Sequence, residues 1–411
     1  MHSRSILLVS SLTLLGASYA SPALHVRDSI ITLPVAKRVN TTGIIKLVPH
    51  DRARAQKLKG SKGGLQPDTI IGNVPATNQA VDYVVSVQIG SPATTYSLLV
   101  DTGSSNTWVG AMQPYVQTST SVQTPNTVAV EYGGGESMEG TEFNDQVAIG
   151  SSLKIFGQSI GAATDSTGFD DSDGVLGLGP NGLTVGTLSP ASTQSIPTVT
   201  DNLFAQAVIA QNQVAISFEP TNSVGNVNGE LSFGGTDSSK FTGSINFVPL
   251  TTTKPSSTFW GINQQIRYST NTNILSSTAG IIDTGTTLTM IATDAFQKYQ
   301  TATGAVLDNN TGLLSLTLAQ FVNLKSLFFV IGGVTFEFTA NAQIWPRALN
   351  SAIGGDDQHV FLIVSDIGSN SGSGLDFING MTWIERFYVV LDTANQKVGI
   401  ANTPFTQAGT N

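Results

Sequence analysis

Short apolar segments alternate with polar residues over most of the chain from about residue 72, and turn residues separate them. Alternation with a period of two is typical of strands that bury one face. The segments that show it best are Tyr83–Ile89, Ala215–Glu219 and Leu231–Phe233. Phe328–Ile331 and Val334–Phe338 flank Gly332-Gly333, a pattern that indicates a β-hairpin with a two-residue turn. The pattern predicts an all-β protein.

A few short helices are also predicted, at Asp201–Ala210, Asp294–Thr303 and Thr317–Leu327. The first two segments begin at an aspartate, a residue type that caps helix N-termini well. The 42 glycines fit a chain rich in tight turns.

One sequence pattern occurs twice. Leu98–Ser105 reads LLVDTGSS, and Gly280–Thr287 reads GIIDTGTT, so that Asp101 and Asp283 lie 182 residues apart. A repeat at this spacing indicates two similar halves, each large enough to be a domain. We therefore predict two lobes, residues 71–248 and 249–411.

The N-terminal segment has the features of a secretion signal. Arg4 precedes an apolar stretch from Ile6 to Leu15, and small residues follow at Ser18 and Ala20. The apolar stretch is too short for a membrane span, which needs roughly 17 residues or more. Residues 1–20 are therefore predicted to be a signal peptide of a secreted protein without a membrane anchor. The chain has no cysteine, so burial of apolar residues has to stabilise the fold without disulfides.

The charge is divided between two segments. Residues 1–69 carry ten basic and three acidic residues, whereas residues 70–411 carry nine basic and 25 acidic ones. A solvated linker would explain the basic segment 21–70, but an inhibitory propeptide attracted to the acidic body is the favoured interpretation. The acidic body is not suited to binding nucleic acid through its phosphates.

The repeated motif has a specific chemistry. In each copy an apolar strand leads to an aspartate, glycine then allows the backbone to turn, and hydroxyl residues follow that can donate to the carboxylate. If the two loops meet, the two carboxylates share one site and retain one proton at acid pH. The ionised aspartate then activates a water, and the protonated aspartate donates to a carbonyl oxygen. Asp101 and Asp283 are thus the candidate catalytic pair.

These motifs resemble those of the pepsin-like aspartic proteases, over nearly all of residues 72–411. The resemblance implies a bilobal fold and an acid-acting endopeptidase whose substrates are proteins and peptides, without a cofactor. It also assigns supporting roles in the catalytic loops to Thr102, Gly103, Ser104, Thr284, Gly285 and Thr286. Val175–Gly177 resembles the strand that supports the first loop. The equivalent second strand would be Ile378–Gly380, where Asn379 replaces the usual apolar residue.

The resemblance also implies a flap, a hairpin that closes over the cleft. Tyr132 would lie at its tip and bond to Trp108, while Gly133, Gly134, Gly285 and Thr287 would bind the substrate backbone. The candidate apolar pocket walls are Leu99, Phe169, Val175 and Met290.

The flap sequence leads to a prediction about specificity. Gly134 stands where some relatives carry an acidic residue, so hydrophobic residues beside the cut are expected to be favoured over lysine. Glu136 could reverse this prediction if an apparent one-residue insertion turns it toward the cleft.

Several further predictions concern binding and modification. Asn40 and Asn309 begin sequons for N-linked glycans. With His359 as the one histidine after residue 70 and no cysteine, the sequence favours no metal site. A monomer is expected, and a statine-containing peptide (pepstatin) should inhibit the enzyme.

Two other functional classes remain open. A binding protein could use the same fold without catalysis, although both loops and Tyr132 are intact. A glycosidase also uses two carboxylates, but it needs an acid and a base in different environments and would not require a symmetric repeat.

Overall fold

The structure is a computed structural model, and it describes residues 30–39, 44–60, 81–133, 135–150, 153–223 and 227–411. The predicted signal peptide and Asn40 lie outside these residues. No helix in the described part of the chain is long and apolar enough to cross a membrane.

The described residues form mainly strands, and the first half of the chain contributes twelve. They are β1 (Ile31–Val39), β2 (Val81–Ile89), β3 (Thr94–Asp101), β4 (Thr107–Val109), β5 (Val122–Glu131), β6 (Ser137–Ile149), β7 (Leu153–Thr167), β8 (Gly174–Gly177), β9 (Leu188–Ser189), β10 (Gln213–Phe218), β11 (Val227–Phe233) and β12 (Thr242–Pro249).

The described second half contributes another twelve strands. They are β13 (Gly261–Tyr268), β14 (Thr272–Ile282), β15 (Thr289–Ile291), β16 (Val306–Leu307), β17 (Leu314–Thr317), β18 (Leu327–Ile331), β19 (Val334–Phe338), β20 (His359–Leu362), β21 (Val364–Asp366), β22 (Phe377–Asn379), β23 (Phe387–Asp392) and β24 (Lys397–Asn402).

The helices of the described residues are short. The α-helices are α1 (Leu47–Gly60), α2 (Val199–Ala205), α3 (Thr293–Thr303), α4 (Leu318–Phe321) and α5 (Met381–Ile384). Three 3₁₀ turns lie at Asn181–Thr184, Ser256–Thr258 and Arg347–Ile353. The prediction of an all-β protein with a few short helices is confirmed.

The internal repeat is visible in the strand order. One sheet contains the sequence of neighbours β2-β3-β8-β4-β7, and another contains β13-β14-β22-β15-β21. In both, the second and third strands are parallel, the third and fourth are antiparallel, and the fourth and fifth are parallel. The duplicated sequence motif therefore lies at the end of equivalent strands, β3 and β14.

Most of the local sequence predictions agree with these elements. β18 and β19 pair as an antiparallel hairpin, and Gly332 and Gly333 adopt φ values of 56° and 84° that two-residue hairpin turns require. The predicted N-caps were wrong, because α2 is capped by Thr198 in a capping box with Asp201, and α3 begins after Ala292. The first and third predicted helices were too long: α2 ends at Ala205 and not at Ala210, α4 ends at Phe321, and β18 begins at Leu327.

The basic N-terminal segment is built into the body of the protein. β1 lies inside the fourteen-stranded sheet, between β11 and β2. Lys37 of β1 is fully buried and pairs with the buried Glu385 at 2.6 Å. The helix α1 follows and lies across the two aspartate loops, where Leu47, Ala55 and Leu58 join the main apolar core.

Candidate active site

The two repeated aspartates stand on supported strand ends. β3 ends at Asp101 and pairs in parallel with β8, so that Asp101 lies opposite Gly177. β14 ends one residue before Asp283 and pairs in parallel with β22, where Ile282 lies opposite Asn379. Gly177 has no room for a side chain, since an added Cβ would lie 2.5 Å from the backbone of Ser105. Close packing of this kind fixes the loop that carries the first aspartate.

The two loops are joined by reciprocal hydrogen bonds. The N–H of Thr102 donates to the hydroxyl of Thr284, and the N–H of Thr284 donates to the hydroxyl of Thr102, both at 3.0 Å. Each hydroxyl then donates across to the other half, Thr284 to the carbonyl of Val100 at 2.7 Å and Thr102 to that of Ile282 at 3.3 Å. These buried hydrogen bonds fix the position of the two aspartate loops relative to each other.

Each carboxylate is bound in the same way by its own loop. Gly103 N–H donates to Oδ1 of Asp101 at 2.9 Å, and the Ser104 hydroxyl donates to Oδ2 at 2.6 Å. On the other side, Gly285 N–H and the Thr286 hydroxyl bind Oδ1 and Oδ2 of Asp283 at 3.1 and 2.6 Å. Both aspartates are buried, at 4% and 0% exposure.

Arg54 of α1 bridges the two carboxylates. Its Nε donates to Asp283 Oδ2 at 2.7 Å, while its Nη2 donates to Asp101 Oδ1 at 2.6 Å and to Asp283 Oδ1 at 2.9 Å. The guanidinium occupies the space between the two loops, where it lies beside Gly103 and Gly285. One nitrogen therefore contacts both carboxylates, which shows that they share one site.

The electrostatics of the two aspartates differ in this state. Burial raises the pKa of Asp101, and the charge of Asp283 adds to this, although Arg54 acts in the opposite direction. Burial also opposes ionisation of Asp283, but Arg54 and the hydrogen bonds from Thr286 and Gly285 outweigh it and lower the pKa of Asp283. The site thus favours a charge on Asp283 more than on Asp101.

The predicted flap is the hairpin of β5 and β6. The indole Nε1 of Trp108 donates to the Tyr132 hydroxyl at 2.7 Å, and both rings pack edge-on against Phe169. α1 packs directly on this hairpin, because a Cβ at Gly133 would lie 2.0 Å from Cα of Arg54. Gly134 lies outside the described residues.

Three of the four predicted pocket walls lie at the dyad. Leu99, Phe169 and Val175 line a cavity that also includes Asp101 and Gly285. They belong to a second apolar cluster together with Tyr132. Met290 differs, since it is fully buried in the main core and does not line this cavity.

A second residue of α1 enters this cavity. Nε2 of His50 lies 3.1 Å from Oε1 of Glu136, and Nδ1 lies 3.0 Å from Oδ1 of Asp51. The other oxygen of Asp51 accepts from the backbone N–H of Leu288 at 2.7 Å. Burial opposes the charge on the imidazole, but the two carboxylates outweigh it and raise the pKa of His50 to about 10.

The unusual Asn379 beneath Asp283 has a buried partner. Its amide nitrogen donates to Gln264 Oε1 at 2.9 Å, and the amide nitrogen of Gln264 donates to Asn379 Oδ1 at 3.1 Å. The backbone carbonyl of Asn379 also accepts from Asp283 N–H at 3.2 Å. The two amides therefore satisfy each other's hydrogen bonds, and this pair replaces an apolar contact under the second loop.

Two other predicted residues have defined places. Thr287 is buried near the end of the segment between Asp283 and β15, and its carbonyl accepts from Thr382 N–H at 3.0 Å. Asn309 is exposed in the turn between β16 and β17. No group of three or more His, Cys, Asp or Glu residues among those described is arranged to hold a metal ion.

Comparison with known proteins establishes the family and the fold of this chain. The profile of the family described as eukaryotic aspartyl protease matches residues 82–403, and the chain belongs to this family. It is a pepsin-type aspartic endopeptidase.

Individual relatives agree with this assignment. Polyporopepsin from Irpex lacteus is 66% identical over 83% of this chain and 99% of its own length. Rhizopuspepsin from Rhizopus chinensis is 30% identical, and the match covers 95% of this chain and 98% of that protein. The crystal structure of the aspartic proteinase from Irpex lacteus has a TM-score of 0.80 and 57% identity, and the match covers 93% of this chain and all of that one.

Proposed function

We propose that Asp101 and Asp283 are the catalytic pair and hydrolyse peptide bonds by direct attack of water. The ionised aspartate accepts a proton from the water, which attacks the scissile carbonyl carbon, and the protonated aspartate donates its proton to the carbonyl oxygen. The aspartate that took the proton from water then donates it to the amide nitrogen, the other aspartate takes a proton back from a hydroxyl of the tetrahedral intermediate, and the C–N bond breaks to give an amine and a carboxylic acid. The observation that carries the proposal is the contact of one guanidinium nitrogen, Arg54 Nη2, with both carboxylates. A water at that place would touch both.

Further contacts of the substrate follow from the positions around the dyad. An extended peptide would lie in the cleft now covered by α1, between lobes 71–248 and 249–411. The flap amides of Gly133 and Gly134, the carbonyl of Gly285 and the Thr287 hydroxyl would bind its backbone. The loop residues Thr102, Gly103, Ser104, Thr284 and Thr286 hold the dyad. Tyr132, oriented by Trp108, would close over the bound peptide.

The cavity walls support a preference for hydrophobic residues beside the cut. Leu99, Phe169 and Val175 supply an apolar surface next to Asp101. Burial of a Phe, Leu, Tyr or Met side chain there would contribute roughly 1.5–3 kcal/mol to binding. Met290 lies in the main core and is not part of this surface.

The segment 21–70 is proposed to be an inhibitory propeptide. α1 occupies the cleft, and its Arg54 occupies the place of the reacting groups. Further basic residues of the segment pair with the acidic body, as Lys37 does with Glu385 and Arg52 with Asp366. Protonation of the body carboxylates in acid would weaken these pairs and release the segment.

The protein is further proposed to be secreted as a monomeric precursor. The features of residues 1–20 support a signal peptide, and the exposed Asn309 supports a glycan at that sequon. Asn40 is the second candidate acceptor.

An inhibitor profile tests this function. Purified precursor is incubated at pH values from 2 to 7, its size is followed, and activity is measured on a protein and a polysaccharide. We expect cleavage of the precursor in acid, proteolysis that a statine-containing peptide blocks, and no effect of EDTA or thiol reagents. Loss of proteolysis with EDTA would refute the mechanism, while a stable but inactive protein would favour a binding role, and hydrolysis of the polysaccharide a glycosidase.

A further inference from the structure

A segment of the first half, residues 178–188, connects the loop of Asp101 with the flap, and we call it the bridge segment. It begins beneath that loop. The N–H of Leu178 donates to the carbonyl of Asp101, and the N–H of Gly179 donates to that of Ser104, both at 2.8 Å. The start of the bridge segment therefore has a fixed position relative to the first aspartate.

The other end of the bridge segment is attached to the flap. The carbonyl of Thr187 accepts from Ala129 N–H of β5 at 2.9 Å, and Leu188 of β9 pairs with Val128. β5 continues from there toward Tyr132, whose hydroxyl accepts from the indole of the first half. The position of Thr187 thus determines where the first strand of the flap lies.

Asn106 closes this connection into a ring. It is the last residue before β4, and its amide nitrogen donates to the Thr187 hydroxyl at 3.0 Å. That hydroxyl donates its own proton to the carbonyl of Thr184 at 2.7 Å, so it can only accept from Asn106. Both side chains are buried, at 4% and 3% exposure. This hydrogen bond ties Thr187, and with it the flap strand, directly to the loop of the first aspartate.

The two halves of the repeat differ at this position. The fifth residue after Asp101 is Asn106, whereas the fifth residue after Asp283 is Leu288. Leu288 is fully buried in the main apolar core. An amide at this position therefore occurs in the half that carries the flap, and an apolar side chain occurs in the other half.

We propose that Asn106 is a positioning residue that holds the flap over the dyad through Thr187. The inference rests on the proposed function of Asp101 and Asp283. Asn106 and Thr187 line a cavity together with Tyr132 of the flap, so loss of their hydrogen bond would loosen one wall of the cleft. A peptide would then bind more weakly, because part of its binding free energy would be used to order the flap. The dyad itself would remain held by the reciprocal bonds between its two loops.

The test measures kcat and KM of the acid-activated enzyme on one extended peptide. Asn106→Leu, which introduces the residue of the other half, and Thr187→Val should each raise KM about five- to tenfold, because one buried hydrogen bond is lost. The value of kcat should change less than about threefold, since ground state and transition state lose the same binding. The double variant should show the same rise as each single variant, because all three break one bond.

Two further variants serve as controls. Thr187→Ser retains the hydroxyl and should retain the KM of the unmodified enzyme. Asn126 is also a buried asparagine, and it lies in β5, but its amide donates to Glu142 and not to a residue of the bridge segment. Asn126→Leu should therefore lower the free energy of unfolding and leave KM unchanged. Urea unfolding shows that each variant is folded, and Thr187→Val, which keeps the shape of the side chain, carries the test if Asn106→Leu does not fold.

The possible errors give different results. A KM within about twofold of the unmodified value in both Asn106→Leu and Thr187→Val would overturn the inference. Additive rises in the double variant, or an equal rise with Asn126→Leu, would overturn it as well. Absence of peptide hydrolysis by the unmodified enzyme would instead refute the proposed function of the dyad.

Discussion

Thr102 and Thr284 each accept, through their hydroxyl, a hydrogen bond from the backbone N–H of the other, at 3.0 Å in both directions. Thr284→Val would leave the N–H of Thr102 and the carbonyl of Val100 buried without that partner. We expect a loss of about 1–3 kcal/mol in the free energy of unfolding and a fall in kcat. Urea unfolding and peptide hydrolysis measure the two effects. Thr284→Ser retains the hydroxyl and serves as the control, and equal losses in both variants would contradict this explanation.

The amide pair beneath Asp283 gives a second prediction. Asn379→Leu removes one partner and leaves the amide of Gln264 buried and unsatisfied, at a cost of about 1–3 kcal/mol. The double variant Asn379→Leu with Gln264→Leu removes both polar groups and should recover much of this loss. A double-mutant cycle in urea measures the coupling. Additive losses would show that the two side chains do not act as a pair.

Release of α1 should depend on pH through specific groups. Burial opposes ionisation, but contacts with α1 outweigh it and lower the pKa of Asp283 below 3.8 and that of Glu136 below 4.5. A carboxylate whose pKa is lowered by docking stabilises the docked state fully at pH values above its ordinary pKa. This stabilisation is lost as the pH falls through the lowered pKa. The pKa of His50 is raised from 6.5 to about 10, so this imidazole stabilises the docked state fully below pH 6.5. Its stabilisation is lost as the pH rises toward 10. Docking is therefore strongest between about pH 4.5 and 6.5.

Removal of the Arg54 guanidinium, which bridges Asp101 and Asp283, tests the pH-dependent release of α1 directly. Arg54→Gln should allow release at a higher pH and raise the activity of the precursor at pH 6 by about tenfold or more, because the charged contact with the dyad is lost. Arg52→Gln is the matched control, since its pair with Asp366 is partly exposed. The pH dependence of precursor conversion, followed by size, gives the result. Identical pH profiles for both variants would contradict a special role of Arg54.

Lys37 and Lys57 should differ strongly in their effect on the precursor. Lys37→Met leaves the buried Glu385 without its ion pair and should lower the free energy of unfolding by about 3–5 kcal/mol. Lys57→Met removes a largely exposed pair with Glu131 and should cost no more than about 1 kcal/mol. Urea unfolding at neutral pH compares them. Similar losses would mean that β1 is not held by this pair.

Much of the fold and the centre of the site could be predicted from the sequence. The repeated Asp-Thr-Gly motif places two aspartates at equivalent strand ends because the motif follows an apolar strand in both halves. The hairpin at Gly332-Gly333 could be predicted because glycine tolerates the positive φ of its turn. The contact of Tyr132 with Trp108 followed from the family resemblance.

The remaining features depend on long-range contacts that no local pattern encodes. The basic residues of segment 21–70 indicate attraction to the acidic body, but their pattern does not show which of them contacts Asp101. The helix α1 was also not predictable, because it has no strongly apolar face. His50 and Arg54 lie four residues apart, which places them on one face of that helix, and this spacing was the available signal. The orientation of Glu136 and the partner of Asn379 follow from packing against Gly168 and Gln264, which are distant in the sequence.

The central claim is that Asp101 and Asp283 together perform the hydrolysis, and Asp→Asn variants of each measure it most directly. Precursors carrying Asp101→Asn, Asp283→Asn or, as a control, the exposed Asp165→Asn are processed with immobilised active enzyme, and kcat/KM is measured in acid on one peptide. The account predicts a fall of at least about a thousandfold for each dyad variant, with unchanged unfolding, and full activity for the control. If either dyad variant retained activity near that of the control, that aspartate would not be catalytic.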